Sequence, residues 1–133
     1  RMDSGLRRRV LIIEDDQSVC KVLSDLLCSD YEVDVFQEST DAAAEFLPGR
    51  YVVALIDLGM PDLPGDQVAR KMREVDSAMV TVLVTGWELE EGDPRLVPFD
   101  LRILKPFGDL VTIQRMVGQA VELHDSRAGK SAQ

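Results

Sequence analysis

Charged side chains follow apolar runs at three places in this chain, and their types and spacing are suited to chemistry. The side chains are Asp57, the triplet Glu14-Asp15-Asp16, and Lys105. The preceding runs are short and rich in branched apolar residues, which is typical of buried strands; they cover residues 10–13, 51–56 and 101–104. A carboxylate at the end of a buried strand is costly unless a cation binds it or it reacts. Taken singly, each position is also compatible with a turn or a helix cap.

Glu14, Asp15 and Asp57 together offer three hard oxygen donors. Converging carboxylates without a cation would repel one another and raise one another's pKa values. Mg²⁺ prefers such ligands, keeps several waters and bridges to phosphate oxygens. The three acids therefore predict a Mg²⁺ site.

Phosphoryl transfer onto a carboxylate nucleophile is the reaction that such a site suits. The transferred group needs positive charge and hydrogen-bond donors around its oxygens. Lys105 could supply the charge, and Thr85, at the end of a further apolar run, could supply a hydroxyl. Gly86 beside Thr85 is small enough to leave room for a phosphoryl group.

Strand-like and helix-like segments alternate along the chain, which indicates an α/β fold with a parallel sheet covered by helices on both faces. The predicted strands are 10–13, 32–36, 51–56, 80–84 and 101–104, and the predicted helices are 18–29, 40–47, 66–75 and 109–123. Ligands of such sheets bind beyond the carboxyl ends of the strands. We therefore expect the acids, Thr85 and Lys105 to meet at one edge.

The connection between the fourth and fifth strands does not fit this alternation. Residues 88–100 contain Pro94, Pro98, Gly92 and several acids, so at most a short helix around 94–97 is compatible with them. The crossover is therefore predicted to be shortened or irregular.

Composition limits the classes of function. The 133 residues are 45% hydrophobic, enough for one domain with a core, and the net charge is -9. This charge argues against direct nucleic-acid or anionic-membrane binding.

Cys20 and Cys28 fall on one predicted helix, about 12 Å apart, too far for a disulfide. Unpaired thiols are typical of a reducing cytoplasm, so a cytoplasmic location is expected.

At these spacings the motifs resemble a response-regulator receiver domain of bacterial two-component signalling, the CheY-like family. The matching segments are Ile12-Ile13-Glu14-Asp15-Asp16, Asp57-Leu58-Gly59-Met60-Pro61 with Gly65, Val82-Leu83-Val84-Thr85-Gly86, and Lys105-Pro106-Phe107. The resemblance implies a doubly wound five-stranded parallel sheet in the flavodoxin-like order 2-1-3-4-5. It also implies a receiver domain over 9–124, a flexible flank over 1–8, and a tail or linker start over 125–133.

The resemblance further implies a role for each site residue. Asp57 would be the phosphoacceptor, and Mg²⁺ would be held by Glu14, Asp15, Asp57 and the backbone carbonyl of Gly59. Thr85 and Lys105 would contact the phosphoryl group, and Pro106 would follow a cis peptide bond. Asp16 is expected to cap the first helix instead of binding metal. Such a domain is a signalling phosphoacceptor that promotes its own phosphorylation and dephosphorylation, not a conventional enzyme.

The implied partners are a sensor histidine kinase or a histidine phosphotransfer protein, with an output partner or output domain that the sequence does not name. A homodimer is an alternative assembly. In the family, phosphorylation moves the threonine and changes a face formed by the fourth helix, fifth strand and fifth helix. An aromatic residue usually joins that switch at the position of Arg102, so this chain departs from the pattern.

Trp87 is a bulky residue beside the expected site. It would either shield the acyl phosphate from water or contact a partner.

Two other functions compete with the leading one. A pseudo-receiver would dock independently of phosphorylation, and an aspartyl-phosphate phosphatase would turn over substrates. The second normally has another aspartate two residues after the nucleophile, where this chain has Gly59.

Overall fold

The fold is taken from a computed structural model that describes residues 7–129. Residues 1–6 of the predicted flank (1–8) and residues 130–133 of the predicted tail (125–133) lie outside the described residues. Five parallel strands form one sheet in the order β2-β1-β3-β4-β5, which confirms the predicted topology. They are β1 (Arg9–Ile13), β2 (Glu32–Phe36), β3 (Val53–Asp57), β4 (Val80–Thr85) and β5 (Leu101–Leu104).

Helices cover both faces of the sheet. They are α1 (Gln17–Leu27), α2 (Ser39–Glu45), α3 (Gly65–Val75) and α4 (Leu110–Arg127). On one face, α1 and α4 bury a core that includes Leu23, Leu27 and Val117. On the other, α2 and α3 bury a second core that includes Val68 and Met72. The three central strands have apolar neighbours on both faces, which is why they read as continuous apolar runs in the sequence.

Side-chain caps fix where two of the helices begin. Asp16 precedes α1 and accepts hydrogen bonds from the backbone N–H groups of Ser18 and Val19, at 2.9 and 3.4 Å. Asp109 precedes α4 and accepts one from the Val111 N–H at 3.0 Å. Such carboxylates satisfy backbone donors that have no partner within the helix. The prediction that Asp16 is a cap is therefore confirmed.

Several predicted boundaries need correction. Asp57 and Thr85 are the last residues of β3 and β4 and do not lie just beyond them. The last helix runs to Arg127, so the segment from Asp125 is helical and is not a frayed end there. Arg8 pairs with Asp125, which ties the residues before β1 to this last turn. This contact joins residues 117 positions apart, and no local sequence pattern indicates it.

The crossover between β4 and β5 is irregular, as predicted. Its helical part is a 3₁₀ turn at Pro94–Leu96, capped by the Asp93 side chain. Residues 86–100, all of which the structure describes, form no α-helix, so the fourth helix that the resemblance implies is not formed there. Phe99 at the end of the crossover packs against the second core. Arg102 and Leu104 on β5 are exposed.

No helix within residues 7–129 has the length and apolarity that a membrane span requires.

Asp100 anchors the end of this crossover to two helices. Its carboxylate lies 3.0 Å from Arg73 of α3 and 2.6 Å from Arg127 of α4, and it accepts the Thr81 N–H at 3.0 Å. The Asp100 side chain is only 11% exposed. Burial alone would raise the pKa of Asp100, but the hydrogen bonds from Arg127, the Thr81 N–H and Arg73 outweigh it and lower the pKa to about 2.

Asp100→Asn should lower the free energy of unfolding by about 2 kcal/mol at neutral pH. A carboxylate with a depressed folded-state pKa stabilises the protein above its unfolded pKa, roughly 3.9. That contribution disappears as the pH falls through the folded-state value of about 2. Urea unfolding of both proteins at stepped pH should therefore give curves that converge in acid. A difference that stays constant with pH would contradict this account. Asp25→Asn, which breaks an exposed pair with Lys21, should change little.

Candidate functional site

The ends of β1 and β3 bring the predicted acids together. The two strands pair with Ile13 opposite Ile56, so the residues that come next, Glu14 and Asp57, lie side by side at this end of the sheet. Carboxylate oxygens of Glu14, Asp15 and Asp57 all lie within 4.8 Å of one another. Glu14 and Asp57 are buried, whereas Asp15 is exposed and opens the cluster to solvent. Asp16 is not part of this cluster.

Lys105 reaches the same cluster from the end of β5. Its Nζ lies 3.2 Å from Glu14 Oε1 and 3.7 Å from Asp57 Oδ1. Burial alone would lower the pKa of Lys105, but the charges of Asp57 and Glu14 outweigh it and raise the pKa. The lysine therefore stays cationic beside the two buried carboxylates.

Glu14 is 1% exposed, and burial together with the negative charge of Asp57 raises its pKa to about 7. The Asp16 N–H, at 3.1 Å, and Lys105 act in the opposite direction. Three carboxylates facing a single lysine leave negative charge uncompensated, and a divalent cation would neutralise it. The donors are all oxygens and one acid faces water, which fits Mg²⁺ with retained water ligands. The residues present therefore fit the metal that the sequence predicts.

Thr85 lies at the end of β4, next to the acidic cluster. The strand pairing puts Asp57 opposite Val84, so Thr85 follows at the same sheet edge. Its hydroxyl is buried and accepts the Trp87 N–H at 3.0 Å, and its carbonyl accepts the Lys105 N–H at 2.8 Å. A backbone hydrogen bond therefore links Thr85 directly to Lys105.

Gly86 and Pro106 flank this connection. A Cβ added at Gly86 would meet only the Lys105 backbone oxygen and Cβ, at 3.7 and 3.9 Å, which are ordinary contacts. The surrounding protein does not itself require a glycine there, and space for a phosphoryl group stays a prediction. The Lys105–Pro106 peptide bond is cis, as expected. Phe107 then packs against the core between the sheet and α1 and α4.

Trp87 lies over the loop that follows Asp57. A Cβ added at Gly59 would approach the indole ring to 3.4 Å, so the ring rests on this glycine. The guanidinium of Arg95 lies 5.8 Å from the ring centroid, within cation–π range. The indole is half exposed, at 51%, and lines a groove of about 400 Å³. Gly59 itself donates its N–H to Asp57 Oδ1 at 3.3 Å.

Arg102 is placed on the exposed side of β5, away from the acidic cluster. Its guanidinium donates to the Leu89 carbonyl at 3.3 Å, which ties β5 to the start of the crossover.

Cys20 lies near the site, where its thiol donates to the Glu14 carbonyl. Burial and the neighbouring acids raise the pKa of Cys20 to about 11, so it is not a nucleophile. Both cysteines are free thiols, as predicted.

Gly65 packs against the site in a way that the sequence did not predict, since the sequence analysis named this glycine only as part of a motif. A Cβ at this position would lie 2.0 Å from the Asp57 carbonyl oxygen and 2.8 Å from the Asp57 carbonyl carbon. The Gly65 N–H also donates to the Leu58 carbonyl at 3.1 Å. The start of α3 therefore packs directly against the backbone of the candidate acceptor, and only glycine fits.

Known proteins are similar to this chain in sequence. The sequence profile of the response regulator receiver domain matches residues 10–108. The uncharacterized transcriptional regulatory protein YkoG of Bacillus subtilis is 32% identical over 109 residues, covering 71% of this chain and 46% of that protein. Response regulator ArlR of Staphylococcus aureus is 26% identical over 106 residues, covering 72% and 48%. The chain spans about half the length of these relatives.

Solved structures agree on the fold. A CheY-like receiver domain protein of Methanospirillum hungatei superposes with a TM-score of 0.78 at 20% identity, covering 90% of this chain and 98% of that one. The response regulator TrrA of Thermotoga maritima, solved with Mg²⁺-BeF, superposes with a TM-score of 0.76 at 23% identity, covering 85% and 98%. The profile match covers most of the chain and includes every element of the acidic cluster. The chain therefore belongs to the response regulator receiver domain family of two-component signal transduction.

Proposed function

We propose that this domain accepts a phosphoryl group on Asp57, in a Mg²⁺-dependent reaction, from a sensor histidine kinase or a histidine phosphotransfer protein. One observation carries the proposal: Asp57, Glu14 and Asp15 converge within 4.8 Å, with the Lys105 ammonium 3.7 Å from Asp57. This geometry supports the proposal, because it offers a carboxylate that could act as nucleophile, oxygen donors for a divalent cation and a positive charge around one point.

In the proposed reaction, a carboxylate oxygen of Asp57 attacks the phosphorus of a phosphohistidine. The new P–O bond forms as the P–N bond breaks, and the released imidazole takes up a proton. Bound Mg²⁺, held by Glu14, Asp15, Asp57 and the Gly59 carbonyl, would supply charge neutralisation on the phosphoryl oxygens. Lys105 pairs with one of these oxygens. Hydrolysis of the acyl phosphate by water then returns the carboxylate and inorganic phosphate.

The proposed output is a conformational change that begins at Thr85. A phosphoryl group adds roughly two negative charges at Asp57 and gives the Thr85 hydroxyl a new acceptor. That hydroxyl now accepts from the Trp87 N–H, so its movement would release or shift Trp87 and the crossover behind it. Arg102, bonded to Leu89, replaces the usual aromatic residue in this region. The output partner or output domain, a homodimer and the cytoplasmic location remain predictions.

A phosphorylation-independent docking module is the second candidate, because the β4–β5 crossover lacks the α-helix of the usual output face and β5 lacks its aromatic residue. The acidic cluster argues against a docking module, since docking does not require buried carboxylates that repel one another. A phosphatase that turns over through an aspartyl phosphate is disfavoured, because the residue two positions after Asp57 is Gly59 and not an acid.

Intact-mass measurement after incubation with acetyl phosphate tests the proposal. The wild-type protein should gain one phosphoryl group with Mg²⁺ and none with a chelator. No gain under either condition would overturn the proposed function and favour the docking module. Continued release of phosphate from phosphomonoesters would favour a phosphatase.

Trp87→Ala should shorten the lifetime of the phosphorylated state several-fold. The indole rests on Gly59, two residues from Asp57, and its removal would open that side of the acyl phosphate to water. The lifetime can be measured as the decay of the phosphorylated mass after donor removal. Leu89→Ala, elsewhere in the crossover, serves as the control and should keep the wild-type lifetime. An unchanged lifetime in Trp87→Ala would rule out shielding and leave partner contact as the role of this residue.

A further inference from the structure

The loop after Asp57 is fastened to α2 by a group of hydrogen bonds that we call the Asp62 clasp, formed by Asp62, Ser39 and Thr40. Asp62 Oδ2 accepts the Thr40 N–H at 2.9 Å and the Thr40 hydroxyl at 2.8 Å. Asp62 Oδ1 lies 2.7 Å from the Ser39 hydroxyl. That hydroxyl also lies 2.6 Å from the Leu63 carbonyl and accepts the Leu63 N–H at 3.1 Å. The clasp therefore holds the loop through both side chain and backbone.

The clasp supplies what α2 lacks. Its own N-cap residue, Glu38, makes no side-chain capping hydrogen bond, so the first-turn donors need an acceptor from elsewhere. Asp62 provides a carboxylate at this helix N-terminus from 22 residues away, where negative charge is favourable. The Thr40 N–H and the Ser39 hydroxyl together hold the pKa of Asp62 well below its usual range. Ser39 is fully buried, so its hydroxyl is satisfied only by this loop.

The clasped loop is also the one that carries Gly59. At its start, the Gly59 N–H donates to Asp57 Oδ1 at 3.3 Å. At its end, the Gly65 N–H donates to the Leu58 carbonyl at 3.1 Å. Between these two points, Asp62 adds a polar anchor to the packing of the buried Met60 side chain. Without Asp62, the loop would be less ordered before the metal binds, and the free energy of the remaining ordering would be subtracted from the affinity.

We propose that Asp62 is a positioning residue for the cation site: by fastening the loop to α2, it fixes the Gly59 backbone beside Asp57 before the cation binds. Asp62 itself does not contact the cation. The inference rests on the proposed Mg²⁺ site and deepens it by naming the residue that preorganises its backbone ligand.

Asp76 offers a matched control at the opposite edge of the sheet. Its carboxylate accepts the Gly49 N–H at 2.7 Å and the Met79 N–H at 3.3 Å, so it also fastens one loop to another. Asp62→Ala and Asp76→Ala should both lower the urea midpoint. Only Asp62→Ala should weaken Mg²⁺ binding, by about tenfold, the lower end of what outer-shell partners of metal ligands contribute. Asp62→Asn keeps a carbonyl acceptor for the Thr40 N–H and should fall between Asp62→Ala and the wild type.

Mg²⁺ titration can be followed through Trp87, the single tryptophan, whose ring rests on Gly59. Without metal, amide exchange at Gly59 and Leu63 should be faster in Asp62→Ala than in Asp76→Ala. Equal Mg²⁺ affinity in the two alanine variants, or wild-type affinity in Asp62→Asn alongside an Asp62→Ala that does not fold, would overturn the positioning role. A wild-type protein that does not bind Mg²⁺ would instead overturn the proposed function, and this inference with it.

Discussion

Asp57→Asn is expected to reduce phosphoryl uptake from acetyl phosphate to below about 1% of the wild-type extent, because the amide oxygen is not a competent nucleophile. The substitution keeps the shape of a side chain that is only 11% exposed. It also removes one of the charges that raise the pKa of Glu14, so the repulsion within the acidic cluster should fall. We therefore expect the variant to fold with at least wild-type stability while losing the reaction, as intact mass and urea unfolding would report.

Asp16→Asn is the matched control for this experiment. Asp16 is the neighbouring acid, but its carboxylate caps α1 and lies outside the cluster. Asparagine is also a good N-cap residue, so both stability and phosphorylation should stay close to the wild type. A phosphoryl group still gained by Asp57→Asn would show that another residue is the acceptor. Loss of uptake in Asp16→Asn would show that the third acid has a role in the reaction.

Gly65→Ala is expected to cost about 3 kcal/mol of stability, at the upper end of the range for overpacking. The added methyl group would lie 2.0 Å from the Asp57 carbonyl oxygen, and the obstructing atoms are backbone that cannot rotate away. Either α3 or the end of β3 must shift, and a shift of β3 displaces Asp57 from Lys105. We therefore expect lower phosphoryl uptake as well as a lower urea midpoint.

Gly118→Ala supplies a control with the opposite sign. Gly118 lies within α4, and a Cβ there would meet nothing within 4 Å. Alanine should therefore stabilise the helix by about 0.5 to 1 kcal/mol without affecting the site. If Gly65→Ala were no more destabilising than Gly118→Ala, the close packing of α3 against Asp57 would not limit the choice of residue at position 65.

The irregular crossover determines which contacts lead away from the candidate site. In this chain the residues behind Thr85 are Trp87, Arg95 stacked on its ring, and Asp93, which pairs with Arg95 at 2.7 Å. Arg102 adds a second attachment through the Leu89 carbonyl. The crossover is thus joined to the site by individual polar and cation–π contacts. Residues 86–100 form no α-helix that could move as a unit, so we expect the proposed output to depend on these contacts.

Sequence patterns predicted the elements that depend on local chemistry. Apolar runs predicted four of the five strands, and alternation of apolar and polar residues predicted β2. Helical spacing predicted α1, α3 and α4, and the Pro48-Gly49 stop predicted the end of α2. The proline-containing segment after β4 predicted the irregular crossover. Because parallel strands present their carboxyl ends at one edge, the acids at the ends of β1 and β3 and the lysine after β5 were expected to meet there, and they do.

Only the tertiary structure could reveal contacts between residues far apart in the chain. The Asp62 clasp, the pairing of Asp100 with Arg73 and Arg127, and the contact of Gly65 with Asp57 each involve one polar or glycine residue with no periodic signature. The end of α4 was misjudged for the same reason, since its last turn is held by Arg8 and Asp100 and not by its own apolar residues. The sheet and the residue types at its carboxyl edge could be predicted from the sequence, because periodicity and strand ends are local properties. The supports that hold this edge in place were decided by packing, because they exist only once distant segments are brought within hydrogen-bond distance.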